Sequence, residues 1–338
     1  TAMDPQRVQT QAVRDTIVSP DSQGWTLRGA GTCGVMDASP WATAISGEHA
    51  TVLRWAGAAD GPMLHARGAH WLVSDMALTG WETLDAKRDA ADAPACGTGV
   101  FVRHVGRFNG SKGVIERVGF AGFEAAIRIG QPGDHGNDNL TLRNVAFAHC
   151  GSAIRVEAAQ AMSTRVTGMH AKFTPVIVDA AGGGDVAVRD LETDDRATLL
   201  VVRKDNRGIG VNNSAFRFET IKADRSGDDR TYTLVDQQRV SSLRATVVDL
   251  RLPSDKGRRL RATLRGRDSS LTIVDAKNLP RATRFELHRG ATVTIRDSVL
   301  LADPQKLISE QSTQGTVLVR DCWRHGKPVN DLVSVGGD

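Results

Sequence analysis

The amino-acid sequence predicts an all-β solenoid, a chain wound into stacked coils, and three observations carry that prediction. A short phrase returns along the 338 residues: an apolar residue, any residue, another apolar one, a polar one, then Asp or Asn, then apolar again. The Asp or Asn positions recur at a near-regular interval. No stretch sustains the helical period over three turns, whereas alternation of Val, Ile and Leu with polar residues has the period of a strand.

The phrase reads LTLRNVAF at 140–147, VAVRDLET at 186–193, IGVNNSAF at 209–216, TVVDLRL at 246–252, LTIVDAKN at 271–278, VTIRDSVL at 293–300 and VLVRDCWR at 317–324. Its key residues, Asn144, Asp190, Asn213, Asp249, Asp275, Asp297 and Asp321, lie 46, 23, 36, 26, 22 and 24 residues apart. A weaker copy, RVTGMHA at 165–171, puts Gly168 in the same place and divides the longest gap into 24 and 22. A period of about 22–27 residues is that of a solenoid. Asn, Asp and Gly tolerate a left-handed backbone, so one of them at a fixed place in every repeat marks a sharp bend between two short strands. A further apolar strand precedes each phrase, at 99–103, 125–129, 152–156, 175–178, 198–202 and 284–288. Three short strands per coil, stacked at about 4.8 Å, would make parallel sheets around an apolar interior.

This order of strand, turn, strand, Asx bend and strand resembles the right-handed single-stranded parallel β-helix of pectin-lyase-like proteins. The resemblance is one of repeat pattern and implies about 11–12 coils. It assigns residues 1–24 to an expression-vector remnant (Thr1–Pro5) and an N-terminal cap region, 25–326 to the β-helix and 327–338 to a C-terminal tail. A solenoid grows by adding coils, so the length requires no domain boundary, and no linker is visible. No apolar run approaches about 18 residues, and membrane insertion is not expected.

The cysteines, Cys33, Cys96, Cys150 and Cys322, show no metal or redox spacing. They read either as unpaired thiols in coil interiors or as one disulfide at the long 80–98 loop. A net charge of +4 suits acidic polymers such as uronate-containing or sulfated glycans. With only 5% aromatic residues the chain lacks a stacking platform for nucleic acid.

Function is expected on the outward face of the strands that precede each phrase, between the variable turns at 81–98, 130–139 and 217–230. If Ile127, Ile129, Ile154 and Val156 point inward, Arg128 and Arg155 point outward one coil apart. Two such cations about 5 Å apart repel, so an anionic ligand or neighbouring carboxylates should compensate them. Glu157 and Asp179 are the candidate neighbours, with Arg103 and Arg203 in the matching places of flanking coils and His65 on an earlier one. In the turn that follows Arg128, Asp134 and Asp138 are hard oxygen donors that would suit calcium, and His135 would serve as a base. Asp194 and Asp195 offer a carboxylate pair if a turn brings them together. The segment Arg251, Lys256, Arg258, Arg259, Arg261, Arg265 and Arg267 concentrates cations into an anion-binding patch.

The catalytic families of this fold match only in fragments. Asp194-Asp195 resembles the paired acids of polygalacturonase-like hydrolases, but the following coil, NRGIGVNN, lacks their His-Gly. Arg251-Leu252-Pro253-Ser254-Asp255-Lys256 is similar to the pectate-lyase motif, with Lys256 replacing an Arg. AAIRIG at 125–130 loosely resembles strands of alginate-lyase-related enzymes, which add a Lys absent beside Arg128. The expectation is an extracellular, periplasmic or cell-surface bacterial-type β-helix that engages an acidic polysaccharide. If it is catalytic, β-elimination is the expected reaction, with Arg128 or Arg155, with or without calcium, neutralising the uronate and His135 or an arginine removing its proton. A non-catalytic structural or adhesive rod and a glycoside hydrolase are the rival readings.

Overall fold

The structure, a computed structural model, describes residues 8–20, 24–30, 50–80, 97–103, 112–135, 137–194, 196–203, 214–224, 231–238, 240–252 and 257–336. The chain is a right-handed parallel β-helix. A 10-stranded sheet stacks the short strands Ile17–Val18, Pro62–Ala66, Thr98–Val102, Ala125–Ile129, Ser152–Val156, Val176–Ala180, Thr198–Val202, Thr231–Gln237, Arg259–Leu264 and Ala282–Leu287 in order. A 14-stranded sheet runs from Val8–Val13 through Ala50–Trp55, Leu72–Thr79, Val114–Ala121, Thr141–Ala148, Ala161–Lys172, Gly184–Asp194, Ser214–Asp224, Leu243–Arg251, Ser270–Val274 and Ala291–Arg296 to Gly315–Arg324. Thr26–Arg28 pairs with Leu72–Thr79 beside that path.

Two strands per coil replace the three expected. In most of the coils from Leu72–Thr79 to Gly315–Arg324 the second and third are halves of one long strand bent within its length, because these coils bend at the same rung and the hydrogen-bond ladder continues through the corner. At that rung stand Asp75, Arg117, Asn144, Gly168, Asp190, Thr220, Asp249, Asp275, Asp297 and Asp321, all with φ between 50° and 69°. Strand register aligns the flanking residues of each with those of the next. Glycine at 168 has a second cause, since a Cβ there would meet Asn144 Oδ1 at 2.5 Å.

The ladder corrects one repeat. Asn213, read as the bend of its coil, lies outside the described residues, and the bend falls at Thr220 (φ 54°). Residues 217–224 are therefore strand rather than loop. The β-branched Thr220 carries no local signature of a left-handed corner, and pairing with the coils on both sides imposes one.

The interior is an apolar ladder. Leu64, Val100, Ile127, Ile154, Val178, Leu200, Val235, Ala262 and Phe285 stack in register and are all buried. Val178, rather than Val176, holds the rung next to Ile154. Inside the long sheet, Phe120 and Phe147 stack at 5.2 Å between centroids. Cys150 and Cys322 are buried free thiols, and burial pushes the Cys150 thiol up to about 12. Cys33, Cys96 and the rest of the 81–96 loop lie outside the described residues. At the far end the chain reverses: Lys327–Val335 pairs antiparallel with Gly315–Arg324 across a turn at His325 and Gly326, both with positive φ.

Thr220 occupies a conformation that Asn enters more readily, so Thr220→Asn is expected to raise unfolding stability by about 1 kcal/mol. A urea midpoint unchanged or lowered would show that the corner is not strained.

Candidate functional site

Two stretches of the short-strand sheet carry outward charge, and their electrostatics differ. In the first, the outward rung runs His65, Phe101, Arg128, Arg155, Asp179, Val201. Alternation places Arg128 and Arg155 side by side as the sequence implies, and carboxylates compensate both. Arg128 donates through Nε to Glu157 Oε2 at 2.8 Å, and its guanidinium lies 5.0 Å from the centroid of Phe101. Arg155 donates to Asp179 Oδ2 at 3.0 Å and Glu124 Oε1 at 2.8 Å. Arg203 Nε donates to the other oxygen of Asp179 at 2.6 Å, and the Asp179 side chain is only 1% exposed. That hydrogen bond raises the Arg203 pKa.

Arg103 and Arg203 do not occupy the rung of Arg128 and Arg155. Phe101 and Val201 do, because the short strands end at Val102 and Val202 and leave both arginines just beyond. Arg103 instead donates to Asp134 Oδ2 at 3.0 Å, which also accepts the Gln131 N–H at 3.1 Å. Asp138 Oδ1 accepts the Met162 N–H at 2.9 Å. Of the two carboxylates expected to hold calcium, Asp134 thus clamps an arginine and closes its turn, and Asp138 ties its coil to the next. Among the described residues no group of three His, Cys, Asp or Glu side chains is placed to hold a metal. His135 is exposed, and no hydrogen bond or ion pair among the described residues joins it to the arginines.

His65 stacks on Phe101 at 5.0 Å, and its Nε2 is buried without a hydrogen-bond partner. Burial, aided by the charges of Arg67 and Arg103, lowers its pKa to about 4. A Glu192–Asp224 pair forms at the end of the long strands. Glu192 accepts Lys222 Nζ at 2.7 Å and faces His170 Nδ1 at 3.3 Å. Burial works against both charges; the hydrogen bonds from Lys222 and Asp224, with the charges of Lys222 and His170, outweigh it at Glu192, which is lowered, while burial and the neighbouring Glu192 raise Asp224. Asp195 lies outside the described residues. Asp194 is buried and accepts the Phe173 N–H.

The second stretch, near the C-terminal end, is an open groove of about 720 Å³. Its floor is Arg261, Thr263, Arg284 and Glu286, and residues 305–311 of the final coil wall it with Lys306 and Glu310. Arg261 pairs in register with Arg284. Arg284 Nη1 donates to the Thr283 carbonyl at 2.7 Å, and neither guanidinium has a carboxylate partner among the described residues. The basic segment contributes less than its count suggests. Arg258 is buried, Arg251 pairs with Asp249 and Arg265 with Glu286, while Lys256 lies outside the described residues. Sequence reasoning missed Arg284 and Glu286 although RFELH at 284–288 was visible as a strand: alternation around Phe285 and Leu287 already turns both outward.

No protein-family model and no curated protein matches the chain. Among solved structures it is similar to the catalytic unit of a thermostable GH87 alpha-1,3-glucanase from Streptomyces thermodiastaticus strain HF3-3, at 14% identity and a TM-score of 0.27. The match covers 91% of this chain and 63% of that one, so the chain spans less than two thirds of that structure.

Folded His65 stays neutral down to about pH 4, whereas in the unfolded chain it takes up a proton near pH 6.5. The unfolded state binds more protons between these values, so stability falls as pH drops through that window. His65→Phe is expected to flatten the pH dependence of the urea midpoint there; an unchanged slope would place the linkage elsewhere. Arg128→Ala should cost about 1 kcal/mol, from the lost pairing with Glu157 and the lost contact with Phe101. Denaturant unfolding measures it, and a neutral result would make the ladder a solvated one.

Proposed function

We propose that the protein binds an acidic polysaccharide, uronate-containing or sulfated, along the groove floored by Arg261 and Arg284. One observation supports this reading above the others. On a sheet whose other stacked arginines are matched by carboxylates, these two adjacent cations have no carboxylate partner among the described residues, and they lie in an open cleft with Lys306 on its wall. Uncompensated like charges one rung apart repel, and a bound anion relieves the repulsion. A linear polymer suits a groove lined by residues of successive coils, and the polar lining without Trp or Tyr suits anionic sugars rather than nucleic acid.

The reading based on β-elimination at Arg128, Arg155 and His135 draws no support from a ladder in which Glu157, Asp179 and Glu124 already neutralise the arginines. That compensation favours a rigid, structural role for the middle of the rod, with ligand contact near its end.

Retention on immobilised heparin and polygalacturonate, with elution by salt, tests the proposal. Arg261→Ser and Arg284→Ser should each weaken binding about tenfold or more, as expected for a lost charge-assisted contact. Wild-type protein that passes through both matrices at low salt, or a double variant that elutes unchanged, would leave the non-catalytic rod as the better reading.

A further inference from the structure

Beside the groove, a hydroxyl, an imidazole and a carboxylate stand in line. His288 follows the last short strand and is fixed by a turn in which Arg289 (φ 57°) and Gly290 (φ 79°) return the chain, closed by the Ala291 N–H on the His288 carbonyl at 3.1 Å. Its Nε2 lies 2.9 Å from Glu286 Oε1, and its Nδ1 lies 3.0 Å from Thr313 Oγ1. The Thr313 N–H donates to the Leu287 carbonyl at 3.0 Å, which holds the threonine one coil above the histidine. Glu286 also accepts Arg265 Nη2 at 2.6 Å, so its orientation is set from two sides.

The order of partners fixes the tautomer. An ionised carboxylate only accepts, so Nε2 carries the hydrogen and Nδ1 presents its lone pair to the Thr313 hydroxyl. A nucleophile within reach of a base that a third group orients is the arrangement of hydroxyl-based acyl transfer. Thr313 is exposed and His288 only half-buried, so the hydroxyl is open to an incoming ester, and Glu286 belongs to the groove floor. A staple between coils needs one hydrogen bond. Here both ring nitrogens are engaged, with the basic one on the exposed side.

We propose that Thr313, His288 and Glu286 form a second functional site that hydrolyses carboxylic esters, with Thr313 as nucleophile, His288 as general base and Glu286 as the residue that positions it. As Thr313 Oγ attacks the ester carbonyl carbon, its proton passes to His288 Nδ1. Collapse breaks the bond to the alcohol oxygen, which leaves with that proton. Water then attacks the acyl-threonine, giving its proton to Nδ1, and the acid departs as Thr313 Oγ is reprotonated. The net change is ester plus water to acid plus alcohol. Arg289, exposed and next to His288 in the chain, would be the cation to stabilise the carbonyl oxygen as charge develops. If the groove holds a polysaccharide, the ester would be an O-acyl group on that chain; this choice rests on the preceding reading, and the acyl-transfer site itself does not.

The test uses the full chain and p-nitrophenyl acetate, a small neutral ester that needs no polyanion site. Nitrophenol release above buffer is expected, with an acetyl group on the peptide containing Thr313 in acid-quenched samples examined by mass spectrometry. Thr313→Val should abolish both and Thr313→Ser should retain them, while His288→Ala should slow release about 100-fold or more. Glu286→Gln should lower the rate and displace the pH profile, which loss of a merely structural contact would not do. Release no faster than buffer, acetylation confined to lysines, or a Thr313→Val variant as active as wild type would each overturn the proposal. Heparin and polygalacturonate retention of the same samples separates the two ideas: absent retention with intact ester hydrolysis removes only the polysaccharide reading.

Discussion

The rest of this structure depends on the left-handed corner that successive coils make at one common rung, from Asp75 to Asp321. A parallel ladder continues through a bend only if the neighbouring strands bend with it, so a coil that turned one residue early would lose its hydrogen bonds and reverse the faces of the following strand. Asp, Asn and Gly meet this demand cheaply. Arg117 and Thr220 meet it because the coils on either side leave no alternative. At Arg117 the side chain gains a contact as well, donating to Asp75 in the preceding coil and holding that carboxyl below the ordinary aspartate range.

Once the corners are aligned, alternation makes the rest of the pattern periodic. Inward residues become an apolar ladder and outward residues become rows whose members sit about 4.8 Å from one another. That closeness turns charge into a design constraint. In the middle of the short-strand sheet the constraint is satisfied internally, since Asp179 alone receives two arginines, Arg155 and Arg203, from the coils beside it. Near the C-terminal end no described carboxylate satisfies it, and Arg261 and Arg284 remain side by side in an open groove. The contrast between these two stretches of one sheet, rather than the net charge of the chain, is what points to a ligand.

The same closeness brings chemistry together from distant parts of the sequence. Glu192 and Asp224 are 32 positions apart in the numbering yet share a proton-sensitive cluster with Lys222 and His170. His288 and Thr313 meet because the intervening coil returns to the same edge. Neither grouping has a linear motif. Each is set by coil length, which varies with the turns.

The sequence by itself determined the solenoid, the alternation and most of the corners, because those are local properties: a residue type that accepts positive φ, and apolar residues at every second place. Ile127, Ile154, Leu200 and Phe285 were therefore legible as core, and Arg128 and Arg155 as outward neighbours. Only the tertiary structure decided that Thr220 rather than Asn213 makes a corner and that Val178 rather than Val176 follows Ile154. It also decided that Arg103 and Arg203 lie off the arginine rung, and that Glu157, Asp179 and Glu124 neutralise that rung while Arg261 and Arg284 find no carboxylate among the described residues. Register between coils depends on how many residues each turn absorbs, and electrostatic pairing depends on where a long side chain ends. Both are properties of the stacked coils together, and no single repeat contains them.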